Sequence, residues 1–587
     1  MDYGRANLAF SATLLHSAVR HGLRHVVICP GSRSTPLALA AACHPALTTH
    51  VLIDERSAAF FALGMARELG EPVALISTSG TAAANFAPAV IEAYLSRIPL
   101  LIVTADRPAE LRDWGASQTI DQVDLYGSHT RWSRDLPPPV GDAVETRFAQ
   151  AVAARGMALA SGPPAGPVHL NVQFREPLIP ADSDPLELLR ERYSDADLTP
   201  LPKRQSFPPP PRDIERLVNR ILAKPRGIIV CGPHTGSDPG YVAAALSEAS
   251  GYPCLADPLS TVRFSWPGSP GLIDAYDMFL RDANLSDRLA PDVVIRVGGM
   301  PTSKPLTQFL ARQSAEVIAI DPGNLRDAGH TVTWHLAADE AVTLSAASEA
   351  LAGVEVSSTG WRECWETVNS QTRKALEAQV SPSTAITEPT VAASLLQAMP
   401  PGSTLVVGNS MPVRDIDTFA GGGNRDVRVT GTRGASGIDG VTSTAIGAAS
   451  VASGPVALLV GDLSFLHDLG GLQAAHYARR PLVILVVNNN GGGIFSFLPQ
   501  HAQIESSTFE LLFGTPSSID VQRAAELFEC AYIRPSSIQE LRDAINMGLA
   551  TAGVTIIEAR TDRAENLALH RRIALGVLAE IADMREA

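Results

Sequence analysis

The sequence predicts an α/β protein of three doubly wound, mostly parallel-sheet domains, and three observations predict it. Short apolar runs rich in β-branched residues alternate with Ala-rich stretches along almost the whole chain. Two proline-bearing interruptions divide it into three parts of comparable size. The first and third parts carry the same motifs in the same order.

The runs include His25-Val-Val-Ile-Cys, Val73-Ala-Leu-Ile-Ser, Leu100-Leu-Ile-Val-Thr, Gly227-Ile-Ile-Val-Cys, Val293-Val-Ile-Arg-Val, Leu405-Val-Val, Val456-Ala-Leu-Leu-Val and Leu482-Val-Ile-Leu-Val-Val. Continuously apolar strands separated by helices belong to parallel sheets covered on both faces. The length of 587 residues suits about four domains at about 150 residues each. The interruptions argue for three. Thr199 to Arg212, with the run Pro208 to Pro211, reads as a stiff extended linker. A Ser/Thr/Pro stretch near Ser381 to Pro389 follows a helix through Trp361 to Gln379. The domains expected are therefore 1–190, 205–355 and 380–587.

Pro72-Val-Ala-Leu-Ile returns 27 residues later at Pro99-Leu-Leu-Ile-Val, and Pro455-Val-Ala-Leu-Leu returns after 26 at Pro481-Leu-Val-Ile-Leu. Gly64 and Gly447 each precede their first proline by eight residues. Upstream, each half has a strand entering a small polar turn, Pro30-Gly-Ser-Arg-Ser and Gly408-Asn-Ser-Met-Pro. Matches in one order indicate a duplicated unit. The loops after matching strands differ: Ser77-Thr-Ser-Gly-Thr against Gly461-Asp-Leu-Ser, and Ala105-Asp-Arg-Pro against Asn488-Asn-Asn-Gly-Gly-Gly. Ligands bind at such loops, so one scaffold carries two chemistries, as two faces of a composite site would.

Composition narrows the class. Hydrophobic residues at 45% and charged residues at 18% exclude a disordered chain. The 61 acidic residues against 47 basic ones give a net charge of −14, which disfavours nucleic acid. Six cysteines without a C-x-x-C pair make neither a disulfide framework nor a zinc finger. The apolar runs are strand-length, so no membrane span is expected. The start, an amphipathic stretch with His16, Arg20 and His21, does not read as a secretory signal. A cytoplasmic protein is the expectation.

Asp462 and Asn489 lie 27 residues apart, each just past the end of a buried strand. A carboxylate, an amide oxygen and a backbone carbonyl suit a hard cation such as Mg²⁺ that also holds phosphate oxygens. Glycines 491 to 493 allow a carbonyl to turn inward and a phosphate to come close. A helix starting near Ser464 would offer N–H donors to a diphosphate.

Gly461-Asp462, 25 residues and then Asn488-Asn489 resembles the signature of thiamine diphosphate-dependent enzymes, with Leu463 where a third glycine is usual. The resemblance implies that Asp462, Asn489 and the Gly491 carbonyl hold Mg²⁺, with Mn²⁺ as a substitute, against the diphosphate. It also implies a pyrimidine-binding first domain, a Rossmann-like central domain and a diphosphate-binding third domain. Asp54-Glu55-Arg-Ser-Ala-Ala-Phe-Phe-Ala-Leu-Gly matches the segment whose glutamate bonds the cofactor's pyrimidine ring, so Glu55 takes the catalytic role.

Pro30-Gly-Ser-Arg-Ser-Thr-Pro-Leu, Thr104-Ala-Asp-Arg-Pro-Ala-Glu-Leu, Gly408-Asn-Ser-Met-Pro-Val-Arg-Asp and Arg433-Gly-Ala-Ser-Gly-Ile-Asp-Gly look like one branch, the 2-succinyl-5-enolpyruvyl-6-hydroxy-3-cyclohexene-1-carboxylate synthases. That branch implies decarboxylation of 2-oxoglutarate and conjugate addition of the succinyl unit to isochorismate, in menaquinone or phylloquinone biosynthesis. Both substrates are dicarboxylates, and arginine forks carboxylates at about 1.5–3 kcal/mol per charged hydrogen bond. Arg33, Arg107, Arg414 and Arg433, in loops at strand ends, and Lys304 are the candidate cations. Carry-over adds Ser32 and Gln118 toward substrate, Ser410, Gly461 and Ser464 toward cofactor, and Ile438, Phe495 and Leu498 as apolar walls. Ser117 stands where the pattern often has Asn. The resemblance further implies a site formed between subunits of a homodimer or dimer of dimers.

The loop Cys231-Gly-Pro-His-Thr-Gly follows a strand and reads as part of a vestigial or regulatory Rossmann-like unit. Two rivals remain open. Another thiamine diphosphate 2-oxoacid decarboxylase or carboligase would share Glu55, Asp462 and Asn489 without needing the arginines. A silent diphosphate-ligand binding protein would bind without turnover.

Overall fold

The structure, a computed structural model, describes residues 2–194, 197–201, 207–233, 240–268, 270–354, 356, 360–381 and 383–585. Its strands form three six-stranded sheets whose pairings are all parallel. The first holds β1 (His25–Ile28), β2 (Thr48–Val51), β3 (Val73–Ser77), β4 (Leu100–Asp106), β5 (Trp132–Leu136) and β6 (Pro167–Gln173), in the order β2-β1-β3-β4-β6-β5. The second holds β7 (Gly227–Cys231), β8 (Cys254–Ala256), β9 (Leu272–Ile273), β10 (Val293–Val297), β11 (Glu316–Ile320) and β12 (Val332–Leu336), in the order β12-β11-β10-β7-β8-β9. The third holds β13 (Ser403–Val407), β14 (Val427–Thr430), β15 (Val456–Gly461), β16 (Leu482–Asn488), β17 (Ala531–Ile533) and β18 (Val554–Arg560), in the order β14-β13-β15-β16-β18-β17.

The first and third orders are the same permutation of six strands. The motif pairs at Pro72 and Pro455, and at Pro99 and Pro481, open the equivalent strands β3 and β15, and β4 and β16. The second sheet has the doubly wound dinucleotide-fold order, with its switch point between β7 and β10. The fold expectation is borne out.

Helices form where apolar residues recur at helical spacing and a polar side chain caps the first turn. Asp2 accepts the Arg5 N–H at 3.0 Å and starts Tyr3–Arg20, which buries Leu8, Leu14 and Leu15 against the first sheet. Each large aliphatic side chain so buried contributes about 1.5–3 kcal/mol.

The chain forms two compact units. One comprises residues 1–205, 432–452 and 467–479, and the other comprises 206–431, 453–466 and 480–587. Within the first unit the Val441–Ala449 helix packs on the Glu55–Leu69 helix. Within the second, a buried ionic cluster supports the packing: Arg263 donates to Asp417 at 2.7 Å and to the Asp274 carbonyl, while Arg373 pairs with Asp274 at 3.2 Å.

Two expectations are adjusted. The proline linker ends before Arg212, because Pro211 opens the Pro211–Ala223 helix at a position that tolerates its missing N–H. Residues 202–206 of that linker and 234–236 of the Cys231 loop lie outside the described residues. The stretch near Ser381 to Pro389 runs into a helix at Glu388, capped by Thr387. All six cysteines are free thiols.

Candidate active site

In the first unit, Ser32 and Arg33 follow β1 and Arg107 follows β4, while Gln118 is hydrogen-bonded to Ser79 in the loop after β3. The Arg33 N–H donates to Thr78 Oγ1 at 3.2 Å. Its guanidinium donates to the Phe174 carbonyl at 3.1 Å and pairs with Glu176 at 2.9 Å. Arg33 is thus 8% exposed and held in one orientation. Arg107 donates to Ser79 Oγ and to the Gln118 carbonyl, both at 2.5 Å, and Gln118 Nε2 returns to the Ser79 carbonyl at 3.2 Å. Burial, with Arg33 nearby, lowers the Arg107 pKa. Gln118 has φ +54°, a strained backbone of the kind that clusters at functional loops. Ser32 is exposed beside this group.

Glu55 opens the Glu55–Leu69 helix behind its N-cap, Asp54, which accepts the Arg56 N–H at 3.1 Å. Glu55 is half-buried, and its charge adds to the burial that raises the Cys29 thiol. Arg433 and Ile438 belong to the same unit. Their loop is anchored by Glu92, 2% exposed, which accepts the N–H groups of Gly434 at 3.0 Å and Ala435 at 2.7 Å. Ile438 is exposed.

The second unit carries the metal-type constellation. Asp462 stands at the end of β15 and accepts the N–H of Leu463 at 2.9 Å and of Gly491 at 2.8 Å. Burial pushes its carboxyl up to about 6, against those two hydrogen bonds and Arg563. The helix expected near Ser464 begins at Asp462 instead and is six residues long. Ser464 is buried in it, and Gly461 ends β15.

Asn489 donates through Nδ2 to Glu388 at 2.8 Å, while its Oδ1 is buried and has no hydrogen-bond partner among the described residues. A buried amide oxygen without a donor costs about 1–3 kcal/mol unless something positive meets it. Gly491 has φ +139°, and a Cβ there would lie 2.1 Å from the Gly514 carbonyl, so only glycine fits. Among the described residues no three His, Cys, Asp or Glu side chains are grouped to hold a metal. One carboxylate plus one orphaned amide oxygen therefore suits a hard cation that brings further oxygens with its ligand.

Phe495 and Leu498 are half-buried in the turn beyond, with the Phe495 ring 5.6 Å from that of Phe513. Ser410 has φ +74° and immediately precedes the Met411–Phe419 helix, without a side-chain capping hydrogen bond. Arg414 lies in that helix rather than in a loop, as a correction to the expectation, because Pro412 at its start commits the segment to helix; it donates to the Ser410 carbonyl. Lys304 is exposed as the first residue of Lys304–Arg312, whose N-cap Ser303 donates to Asp277 at 2.7 Å. Asp277 also accepts from Thr418 at 3.0 Å and so ties the helices of Lys304 and Arg414 together.

Comparison with known proteins sets these residues in a family. Residues 9–125 match the family described as "Thiamine pyrophosphate enzyme, N-terminal TPP binding domain", 213–407 match "Middle domain of thiamine pyrophosphate", and 428–559 match "Thiamine pyrophosphate enzyme, C-terminal TPP binding domain". A 2-succinyl-5-enolpyruvyl-6-hydroxy-3-cyclohexene-1-carboxylate synthase of Geobacillus kaustophilus is 43% identical over 580 residues, 98% of this chain and 99% of the relative. The chain belongs to this synthase family. The synthase of the same name from Chloroflexus aurantiacus is 44% identical, covering 96% of this chain and 95% of its own, and that of Myxococcus xanthus is 40% identical, covering 98% of each.

The synthase resemblance read from the motifs is thereby borne out. The motifs did not reveal three buried carboxylates: Glu92, Asp277 and Glu388. Glu388 is pushed up to about 7 by burial, helped by Asp415, and it also accepts from Thr561 at 3.3 Å. Asp415 pairs with His570 at 2.9 Å. In this synthase Glu388 also lines a cavity of about 750 Å³ with Thr390, Thr561, Asn566 and Arg572, which none of the sequence-selected residues lines. The signal for Glu388 was Thr387-Glu388-Pro389, an N-cap followed by an acid and a first-turn proline.

Proposed function

We propose that this chain is a working synthase that decarboxylates 2-oxoglutarate and adds the remaining four-carbon unit to isochorismate. The observation that carries the reading is similarity to synthases of that name across nearly the whole chain. Thiamine diphosphate, when bound, would supply the electron sink that decarboxylation of a 2-oxoacid requires.

The chain's own residues then have these tasks. Glu55 would hydrogen-bond the cofactor's pyrimidine ring and hold the proton there. Asp462, Asn489 and the Gly491 carbonyl would hold Mg²⁺, or Mn²⁺, against the diphosphate, with Gly461, Ser464 and Ser410 beside the cofactor and Ile438 and Phe495 as its apolar walls. Ser32, Arg33, Arg107, Gln118, Lys304, Arg414 and Arg433 bind the substrate carboxylates and hydroxyls, and Leu498 closes the apolar side. A guanidinium already fixed by neighbours, as Arg33 is by Phe174 and Glu176, binds a carboxylate with little further ordering cost. Positioning and charge neutralisation supply most of the rate.

The reading extends to a division at 1–190, 205–355 and 380–587, to a homodimer or dimer of dimers with sites between subunits, and to a cytoplasmic location. It is compatible with the finding that no helix among the described residues is long and apolar enough to cross a membrane.

The test is loss of isochorismate absorbance with the cofactor and Mg²⁺, using 2-oxoglutarate or pyruvate as donor. Loss with 2-oxoglutarate alone supports the proposal. Loss only with pyruvate, or no loss with cofactor bound, overturns it in favour of a different carboligase or a silent binder.

A further inference from the structure

We infer that Glu388 is a positioning residue that fixes which face of the Asn489 amide meets the metal ion; this rests on the Mg²⁺ role proposed for Asn489. An amide can present either oxygen or nitrogen, and only the oxygen ligates a cation. Asn489 Nδ2 donates to Glu388 Oε1 at 2.8 Å, so Oδ1 is turned away from Glu388, buried and unpartnered among the described residues. A carboxylate is the right anchor because, when ionised, it can only accept. It therefore selects the N–H face of the amide and leaves the oxygen for the site.

Glu388 is itself held. It is 3% exposed, sits in the first turn of Glu388–Ala398 behind the Thr387 cap, and takes a second hydrogen bond from Thr561 at 3.3 Å. Thr561 directly follows β18, and its N–H donates to the Asn488 carbonyl at 3.0 Å. Glu388, Thr561 and the Asn488–Asn489 turn thus form one braced group. Groups of this kind, one step removed from a metal, typically alter its affinity about 10–100-fold when mutated.

The decisive variant is Glu388→Gln. Its side-chain amide can donate to Asn489 Oδ1, so the Asn489 amide can pair with it after rotating and present nitrogen to the cation. Mg²⁺ would be titrated into enzyme plus thiamine diphosphate, following intrinsic fluorescence, and turnover would be measured across the same Mg²⁺ range. The expected result is a Mg²⁺ half-saturation about 10–100-fold higher, with turnover restored at saturating Mg²⁺ and cofactor-free unfolding little changed. A half-saturation within twofold of wild type overturns the inference, as does turnover that stays low at every Mg²⁺ concentration. Should Glu388→Gln fail to fold, Thr561→Val loosens the same brace, with a several-fold rise expected and an unchanged value contrary. Asn489→Ala run in parallel separates the causes. If it too is indifferent to Mg²⁺, the metal reading falls and the inference with it; if it weakens Mg²⁺ while Glu388→Gln does not, the inference alone falls.

Discussion

Gly64 and Gly447 each lie against the other's helix: a Cβ on Gly64 would stand 2.0 Å from the Thr444 carbonyl, and one on Gly447 would stand 2.1 Å from the Phe61 carbonyl. The reciprocity is what two copies of one unit produce when equivalent helices cross. Each glycine removes the side chain that would hold the Glu55–Leu69 and Val441–Ala449 helices apart. Glu55 begins the first of these helices, so the crossing also fixes its position.

Gly64→Ala and Gly447→Ala are each expected to destabilise the protein by at least about 1–3 kcal/mol, because the obstructing atom is backbone and cannot rotate away. Chemical unfolding of each variant checks this. The double variant should cost less than the sum of the two, since one displacement of the helices relieves both clashes.

Arg263→Met is expected to cost about 3–5 kcal/mol, since it leaves Asp417 buried without its cation. Burial already pushes the Asp417 carboxyl up to about 7 despite Arg263. Urea unfolding of Arg263→Met, compared with Arg263→Met combined with Asp417→Leu, checks it. The double variant should recover part of the loss.

His169 carries the pH prediction. Burial pushes its imidazole down to about 4 from an ordinary 6.5, although Asp124 and Asp135 act the other way. The folded chain keeps the ring neutral, so the unfolded chain binds the proton first as pH falls. This stability is fully present above pH 6.5 and is lost as pH falls toward 4, by an amount on the order of 3 kcal/mol. His169→Gln should flatten the fall in unfolding temperature across that window; an unchanged slope contradicts it.

If Asp462 holds the metal as proposed, Asp462→Asn is expected to weaken Mg²⁺-dependent binding of thiamine diphosphate by more than about tenfold, since a ligand should matter at least as much as its supports. Calorimetric titration of the cofactor with and without Mg²⁺ checks this.

The strands legible in the sequence were those with continuous apolar runs, β3 and β16 among them, because parallel strands covered on both faces carry few polar residues. β6 escaped notice although it is fully buried, because His169, Asn171 and Gln173 alternate along it. Their polar groups are satisfied internally: His169 by Thr104 at 2.8 Å, Asn171 by Asp106 at 2.9 Å and Gln173 by Asp135 at 2.9 Å. Edge strands such as β9, two residues long, offer no period to read.

The site divides in the same way. Asp462 and Asn489 were legible because both follow recognisable strands at a fixed spacing. Glu92, Asp277 and Glu388 were not, because each is defined by partners far away in the chain: Gly434, Thr418 and Asn489.

The most direct test of the central claim compares wild type with Glu55→Gln, measuring isochorismate loss with 2-oxoglutarate and, separately, thiamine diphosphate binding. The account predicts 2-oxoglutarate-dependent loss in the wild type and at least about a hundredfold slower loss in the variant, within the about 10²–10⁴-fold range of positioned proton transfer, with the cofactor still bound. Equal rates in the two proteins would contradict the role of Glu55, and cofactor binding without any isochorismate loss in the wild type would contradict the synthase reading itself.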